Sequence, residues 1–332
     1  MNKLIAMKKL IAPLILAMVG SSPVLGGEWV IRDAEIMGTT IHTEVWHQDQ
    51  QIAEKVAELV LETMHEVNQR MSPYLENSEL SLINNKAASE QLRISEQLYS
   101  VINRSLHYSN ITNGAFDITF ASVGYLYDYR NALRPTESEI RKQLAGVNYQ
   151  HIKLNENELG KTIHFEHQNV RIDLGGIAKG YAVDLAIERA QSHGVGQILV
   201  TAGGDTRILG DRNGRPWVIG IRHPLDKTKV IAKIPLVNEA LSTSGDYERY
   251  FDEDGVRYHH IIDPKTGDSA RKVHSVTILG PSAMDTDALS TSVFVLGADN
   301  GLALLESLAG IEGIIVDSEA NLLFSSGLQN VE

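Results

Sequence analysis

Apolar residues recur at Ile52, Val56, Leu59, Val60, Met64 and Val67 with polar residues between them, which is the spacing of an amphipathic helix, and Ser72-Pro73 ends the pattern. The same period predicts a second helix from near Ser95 through Leu98, Val101, Ile102 and Leu106, stopped by Asn113-Gly114. At Val170, Ile172 and Leu174 the period drops to two, with Arg171 and Asp173 between them, so a strand with one buried face is expected. Gly175 and Gly176 then turn the chain into a helix over 177–193, which carries Tyr181, Leu185, Ile187 and Ala190 and stops before Gly194. Short β-rich runs follow at 198–201, 217–221, 230–237, 260–262 and 273–279, and a last helix near 301–308 leads into 313–316. Helices and strands mixed without a regular βαβ alternation indicate an α+β fold. No linker, repeat or charged tail interrupts the pattern, which favours one continuous unit.

The N-terminal residues stand apart from this pattern. Lys3, Lys8 and Lys9 precede an apolar run over 10–19 and the small residues Gly20, Ser21 and Ser22, the order of a secretory leader. The run is shorter than the roughly 20 apolar residues that span a bilayer. With a cut near Gly26, residues 1–26 form the leader and 27–332 the functional domain, expected to be soluble in the periplasm or otherwise exported. The chain has no Cys, which removes a lipid-bearing cysteine, disulfides, thiolate catalysis and cysteine metal sites. The formal net charge is −12, or −15 once the three leader lysines are set aside, which argues against nucleic acid as a partner. A phosphorylated ligand is still compatible, because a cation, local amides or one lysine can reverse the field within a cleft.

Three segments carry candidate chemistry. Amides at the start of the 177–193 helix, with Lys179 in its first turn, suit phosphate or pyrophosphate, although a plain strand-to-helix turn explains the same residues and neither a dinucleotide fingerprint nor a P-loop is present. If Asp287 begins a helix, Thr291 lies one turn along on the same face, and the pair can share an oxygen-seeking cation such as Mg²⁺; an Asp N-cap before a buried helix is the plainer alternative. In Tyr258-His259-His260-Ile261-Ile262-Asp263-Pro264, His260 is a candidate general base or phosphate contact, whereas His259 reads as a packed neighbour.

Taken in order along the chain, MGTT from Met37, RMSPYLENSELSLIN from Arg70, NGAFDIT from Asn113, DLGGIAKGY from Asp173, TAGGD from Thr201, the His-Ile-Ile-Asp-Pro turn and TDALSTSVFVLG from Thr286 resemble the FAD:protein FMN transferases, the ApbE family. The resemblance implies a single large mixed α/β domain of the ApbE-like, T-fold-related type with two intimately joined lobes. It implies FAD contacts from Met37, Tyr74, Ala115, Phe116, Asp117, Asp173, Lys179 and the backbone around Ile262. It also implies a metal site from the carbonyl of Gly176 and the side chains of Asp287 and Thr291. The implied reaction is Mg²⁺-dependent transfer of FMN from FAD to a Ser or Thr hydroxyl of an exported acceptor flavoprotein, with release of AMP and His260 as the catalytic base. A metal-dependent FAD pyrophosphatase and a non-catalytic flavin-binding protein are the two rival readings of the same pocket.

Overall fold

The alternating apolar runs pair with one another in the order in which the chain lays them down. In the computed structural model, which describes residues 27–158 and 160–328, the strands Val30–Ile36, Thr39–Trp46, Gln197–Ala202, Asp205–Leu209, Ala240–Gly245, Val273–Gly280, Glu312–Asp317 and Leu322–Phe324 form one sheet. Each pairs antiparallel with the next. The leader read over 1–26 lies outside the described residues. Among the described residues, no helix is long and apolar enough to cross a membrane.

Both faces of the sheet are covered, so its central strands are apolar on both sides. In Gln197–Ala202, Ile198 and Val200 face the helices, whereas Leu199 joins Ile208, Trp217, Leu236, Leu241 and Leu279 under the hairpin Trp217–His223/Asp226–Leu236. The helices Gln50–Met71, Ala178–Ser192 and Ala283–Leu296 pack on the other face and on each other. A second, smaller core of Val123, Tyr127, Phe251, Tyr258 and Ile262 unites the segment after Asn113 with two hairpins inserted between the fifth and sixth sheet strands, Tyr250–Glu253/Val256–His259 and Ile262–Asp263/Asp268–Ser269. The architecture is α+β.

Local signals placed most elements well. The first helix is Gln50–Met71, with Asp49 accepting from the Gln51 amide at its start and Ser72 as its C-cap. The second helix read from the sequence is Glu96–Ile111, capped by Ser95. The third is Ala178–Ser192, closed by Gly194 at φ 81°. The last helix, Ala298–Glu306, starts earlier than the 301–308 read from the sequence.

Three expectations change. Residues 170–174 have Val170, Ile172 and Leu174 buried, but they form no strand and join no sheet. A side chain replaces the missing strand: Asn84 donates to the Ile172 carbonyl at 2.9 Å and accepts from its amide at 2.8 Å, while the Asp173 amide donates to the Ile118 carbonyl at 3.0 Å. The run 260–262 is not one strand either. Strand Val256–His259 ends at His259, whose own Nδ1 accepts the Ile261 amide at 3.3 Å, and pairing resumes at Ile262. Finally, Asp287 does not begin its helix. Ser282 caps it, and Asp184 accepts from the amides of Ala283 and Met284, both at 2.9 Å, so the helix starts at Ala283 and Asp287 sits in its second turn.

Candidate functional site

The helix Ala178–Ser192 and the helix Ala283–Leu296 cross so closely that only a glycine fits between them. A Cβ on Gly180 would lie 2.1 Å from the Ala283 carbonyl oxygen. This approach lets the Gly180 amide donate to Asp287 Oδ2 at 3.1 Å and brings Lys179 to the same carboxylate. Thr291 follows Asp287 by one turn on the same face. Its Oγ1 lies 3.4 Å from Ser244 Oγ, and a Cβ on Gly176 would sit 3.1 Å from that Oγ1, so the turn approaches Thr291 by its bare backbone. Gly176, Asp287 and Thr291, named for one cation, therefore converge. Asp285 points away, into a two-point pair with Arg104 at 2.8 and 2.7 Å.

The electrostatics of this cluster are unbalanced. Asp205 and Asp287 are both buried, and one ammonium serves both: Lys179 Nζ is 2.8 Å from Asp205 Oδ2 and 3.3 Å from Asp287 Oδ2, and it also donates to the Gly175 carbonyl at 2.9 Å. Burial, followed by the neighbouring Asp205, pushes the Asp287 carboxyl up to about 7 despite Lys179. Burial works to lower Lys179, but the two carboxylates outweigh it and hold the ammonium above its ordinary range. The helix start is also less open to an anion than its sequence suggests. The amides of Gly175, Ile177, Ala178 and Gly180 donate to Asp173, Leu174, Leu174 and Asp287 respectively.

The remaining residues named from the sequence fall into two groups. Nearer the surface, half-buried Met37 packs against the main core and sits at φ 57° in the two-residue turn that joins the first two strands, and Tyr74 is 80% exposed with its hydroxyl hydrogen-bonded to Arg249. Asp173 lies near Arg249 and Lys179; burial raises its carboxyl, offset in part by the Gly175 amide. Facing inward, Ala115 and Phe116 are buried, and the Phe116 ring meets Tyr108 edge-on at 6.3 Å. Asp117 is buried as well: one oxygen takes the Thr119 amide and hydroxyl, the other the Tyr149 amide at 2.8 Å. Ile262 belongs to the smaller core. The side chains of Phe116, Asp117 and Ile262 are thus committed to packing and capping.

The two histidines separate as their contexts suggested. His259 is packed edge-on to Phe294, donates from Nε2 to the Ala270 carbonyl at 2.6 Å and accepts the Ile261 amide on Nδ1. His260 Nδ1 is buried without a hydrogen-bond partner. Burial first, then the charge of His259, Arg249 and Lys179, pushes its pKa down to about 3. The unfolded chain therefore takes up this proton between pH 6.5 and about 3 and the folded chain does not, so stability is full above pH 6.5 and is lost as pH falls through that window. In His260→Gln, the loss of stability between about pH 7.5 and 4.5, measured by thermal melts, is expected to be smaller than in the parent by roughly 2–3 kcal/mol. Parallel curves would refute the buried neutral imidazole.

Two site residues carried no assignment from the sequence. Asp205 ends the TAGGD run, which stands out as a motif without giving that carboxylate a role. Arg249 has no motif signal at all, yet it donates to the Gly38 carbonyl at 3.2 Å and lies among Tyr74, Asp173 and His260.

Comparison with known proteins identifies the family and the fold. The family model described as the ApbE family matches residues 37–315. The FAD:protein FMN transferase of Vibrio cholerae is 36% identical over 279 residues, covering 82% of each chain, and that of Haemophilus influenzae is 34% identical over 281 residues, covering 81% of each. Among solved structures, the ApbE protein of Thermotoga maritima superposes with a TM-score of 0.84 at 35% identity, over 91% of this chain and 98% of its own. The flavin transferase ApbE from Vibrio cholerae does so with a TM-score of 0.82 at 31% identity, over 92% and 100%. A family match over most of the chain, relatives above 30% identity and the shared fold lead to one conclusion: the chain belongs to the ApbE family of FAD:protein FMN transferases.

Proposed function

We propose that this transferase moves the FMN half of FAD onto a Ser or Thr hydroxyl of an exported acceptor flavoprotein, releasing AMP, with a magnesium ion in the cluster around Asp287. The observation that carries this reading is the buried oxygen set itself. Asp287, with Thr291 one turn on and the side-chain-free backbone of Gly176 above it, offers hard donors only, and two carboxylates share one ammonium. Among the described residues no group of three or more His, Asp or Glu side chains is poised to enclose a metal. One carboxylate, one hydroxyl and a backbone turn would leave coordination positions for phosphate and water, which suits Mg²⁺. Such an ion, when bound, neutralises the pyrophosphate and the charge on departing AMP.

The chain's own residues have separate tasks. Exposed Tyr74 offers an aromatic face for the flavin ring, beside Arg249, which also holds the Met37-Gly38 turn. Lys179 offsets phosphate charge, and Asp173 orients the dinucleotide. The acceptor hydroxyl oxygen forms a bond to the FMN phosphorus, the bond from that phosphorus to the oxygen of AMP breaks, and AMP leaves. The hydroxyl proton passes to His260 Nδ1, which has no hydrogen-bond partner of its own; burial and nearby positive charge depress its basicity, and the phosphate charge of a bound dinucleotide would restore it. The leader over 1–26 supports a reaction outside the cytoplasm, where periplasm-facing redox proteins are the natural acceptors.

The test is intact mass spectrometry of a Thr-bearing acceptor domain after incubation with the protein, FAD and Mg²⁺, beside an EDTA control. A magnesium-dependent gain of one FMN phosphodiester is expected. Free FMN and AMP without an adduct would replace the transferase reading with a pyrophosphatase, and intact FAD with no AMP would leave a flavin-binding protein.

A further inference from the structure

The sequence leaves Lys179 free to meet an anion, but in the structure it is already engaged. Its ammonium is 2.8 Å from Asp205 and 3.3 and 3.4 Å from the two oxygens of Asp287, and the side chains of these carboxylates are only 3% and 4% exposed. Asp205 lies at the start of a sheet strand and Asp287 inside a helix, so neither can follow the other; the flexible partner is the lysine. The ammonium is nearer to Asp205 than to Asp287, and the Gly175 carbonyl holds it from a third side at 2.9 Å. Asp287 therefore has the weaker hold on Lys179, and Asp287 is also the carboxylate with a hydroxyl one turn along.

We propose that Lys179 is a resident counter-ion that occupies Asp287 until a divalent cation displaces it, and that Asp205 is the positioning residue that retains the displaced ammonium beside the arriving phosphates. This rests on the magnesium reading above. Without a dinucleotide, cation and ammonium compete for one carboxylate, and the repulsion between them weakens cation binding. With a dinucleotide bound, the ammonium has phosphate oxygens to face, and the competition ends. Cation and FAD therefore bind with positive coupling, and by linkage each tightens the other by the same factor. Lys179 thus lowers affinity for the free cation and raises affinity for the cation together with its substrate.

Calorimetric titration of MgCl₂ into the flavin-free protein, and of FAD with and without saturating Mg²⁺, tests this without any turnover. Lys179→Met is expected to bind Mg²⁺ alone at least tenfold more tightly than the parent, while its FAD affinity in Mg²⁺ falls and the coupling factor drops to the part that direct contact between cation and phosphate supplies. Lys179→Gln, which keeps polarity in the cluster, gives the same ordering should the methionine variant not fold. Asp205→Asn is expected to do the reverse for the free cation: Lys179, left with one carboxylate, holds Asp287 more firmly and Mg²⁺ binds more weakly. Unchanged or weaker Mg²⁺ binding in the folded lysine variants would overturn the proposal while leaving the magnesium site standing. Absence of Mg²⁺ binding in the parent, with and without FAD, would instead remove the magnesium reading and the proposal with it.

Discussion

Asp287→Asn is expected to lower the rate of FMN transfer by about a hundredfold or more, the scale reached when a preorganised electrostatic contact to a transition state is removed. The substitution keeps the shape of the side chain. An amide oxygen can still accept the Gly180 amide now held at 3.1 Å, and Lys179 keeps its closer partner, Asp205. What disappears is the negative charge that would hold a cation against the pyrophosphate. The carboxylate is ionised at a cost, since burial beside Asp205 pushes it up to about 7, so the melting temperature of Asp287→Asn without added metal should be equal to or above that of the parent. A stable, folded and inactive variant is the signature of a functional carboxylate. The adduct assay with melts on the same sample checks it; a variant with parental turnover would remove Asp287 from the mechanism. His260→Gln should differ in kind, slowing the chemical step with little loss of FAD affinity, because the imidazole serves the proton of the acceptor.

The second large effect is structural. Gly180→Ala is expected to cost about 3 kcal/mol or more, the upper part of the range for overpacking, because the new methyl would stand 2.1 Å from the Ala283 carbonyl oxygen, 2.5 Å from its carbon and 2.8 Å from Met284 Cα. All three are backbone atoms, so no rotamer change relieves the clash. The helices Ala178–Ser192 and Ala283–Leu296 would have to separate. That movement draws the Gly180 amide and Lys179 away from Asp287, and activity should fall together with stability. Gly196→Ala is the control. Nothing lies within 4 Å of the position its new methyl would take, and its effect should stay within about 0.5 kcal/mol. Thermal or urea denaturation separates the two. Similar stabilities for both would show that the helix pair tolerates separation.

The contrast between these glycines explains what was readable in the sequence. Burial on one face of a helix repeats every three or four residues, so Val56, Val60, Met64 and Val67 announce the first helix without any knowledge of what covers them. Caps are also local, and Asp49 and Ser95 act within three residues of themselves. The alternation at Val170, Ile172 and Leu174 correctly reported burial but not pairing, because the partner is the side chain of Asn84, 88 residues away from Ile172. The start of the helix that carries Asp287 depends on Asp184, 99 residues before Ala283. In the site, Asp287 and Thr291 were paired by helical spacing and Gly176 was added by the resemblance, and the structure brings the three together. Asp205 and Arg249 went unassigned because their meaning lies in distances to Lys179, Gly38 and Asp173, which no spacing along the chain encodes.

The sheet whose strands follow chain order has a kinetic consequence. Its strands can dock one after another, but the joins are unequal: the first two strands meet across the Met37-Gly38 turn, whereas Trp46 must find Gln197 across a loop of about 150 residues. Closure entropy grows only slowly with length, yet it must be met before that pairing returns anything. The intervening helices have to condense first and shorten the effective loop. Residues such as Met64 and Ile187, which bring the first and central helices together, therefore govern when the two halves of the sheet can join, a role in the speed of folding that is separate from their share of its stability.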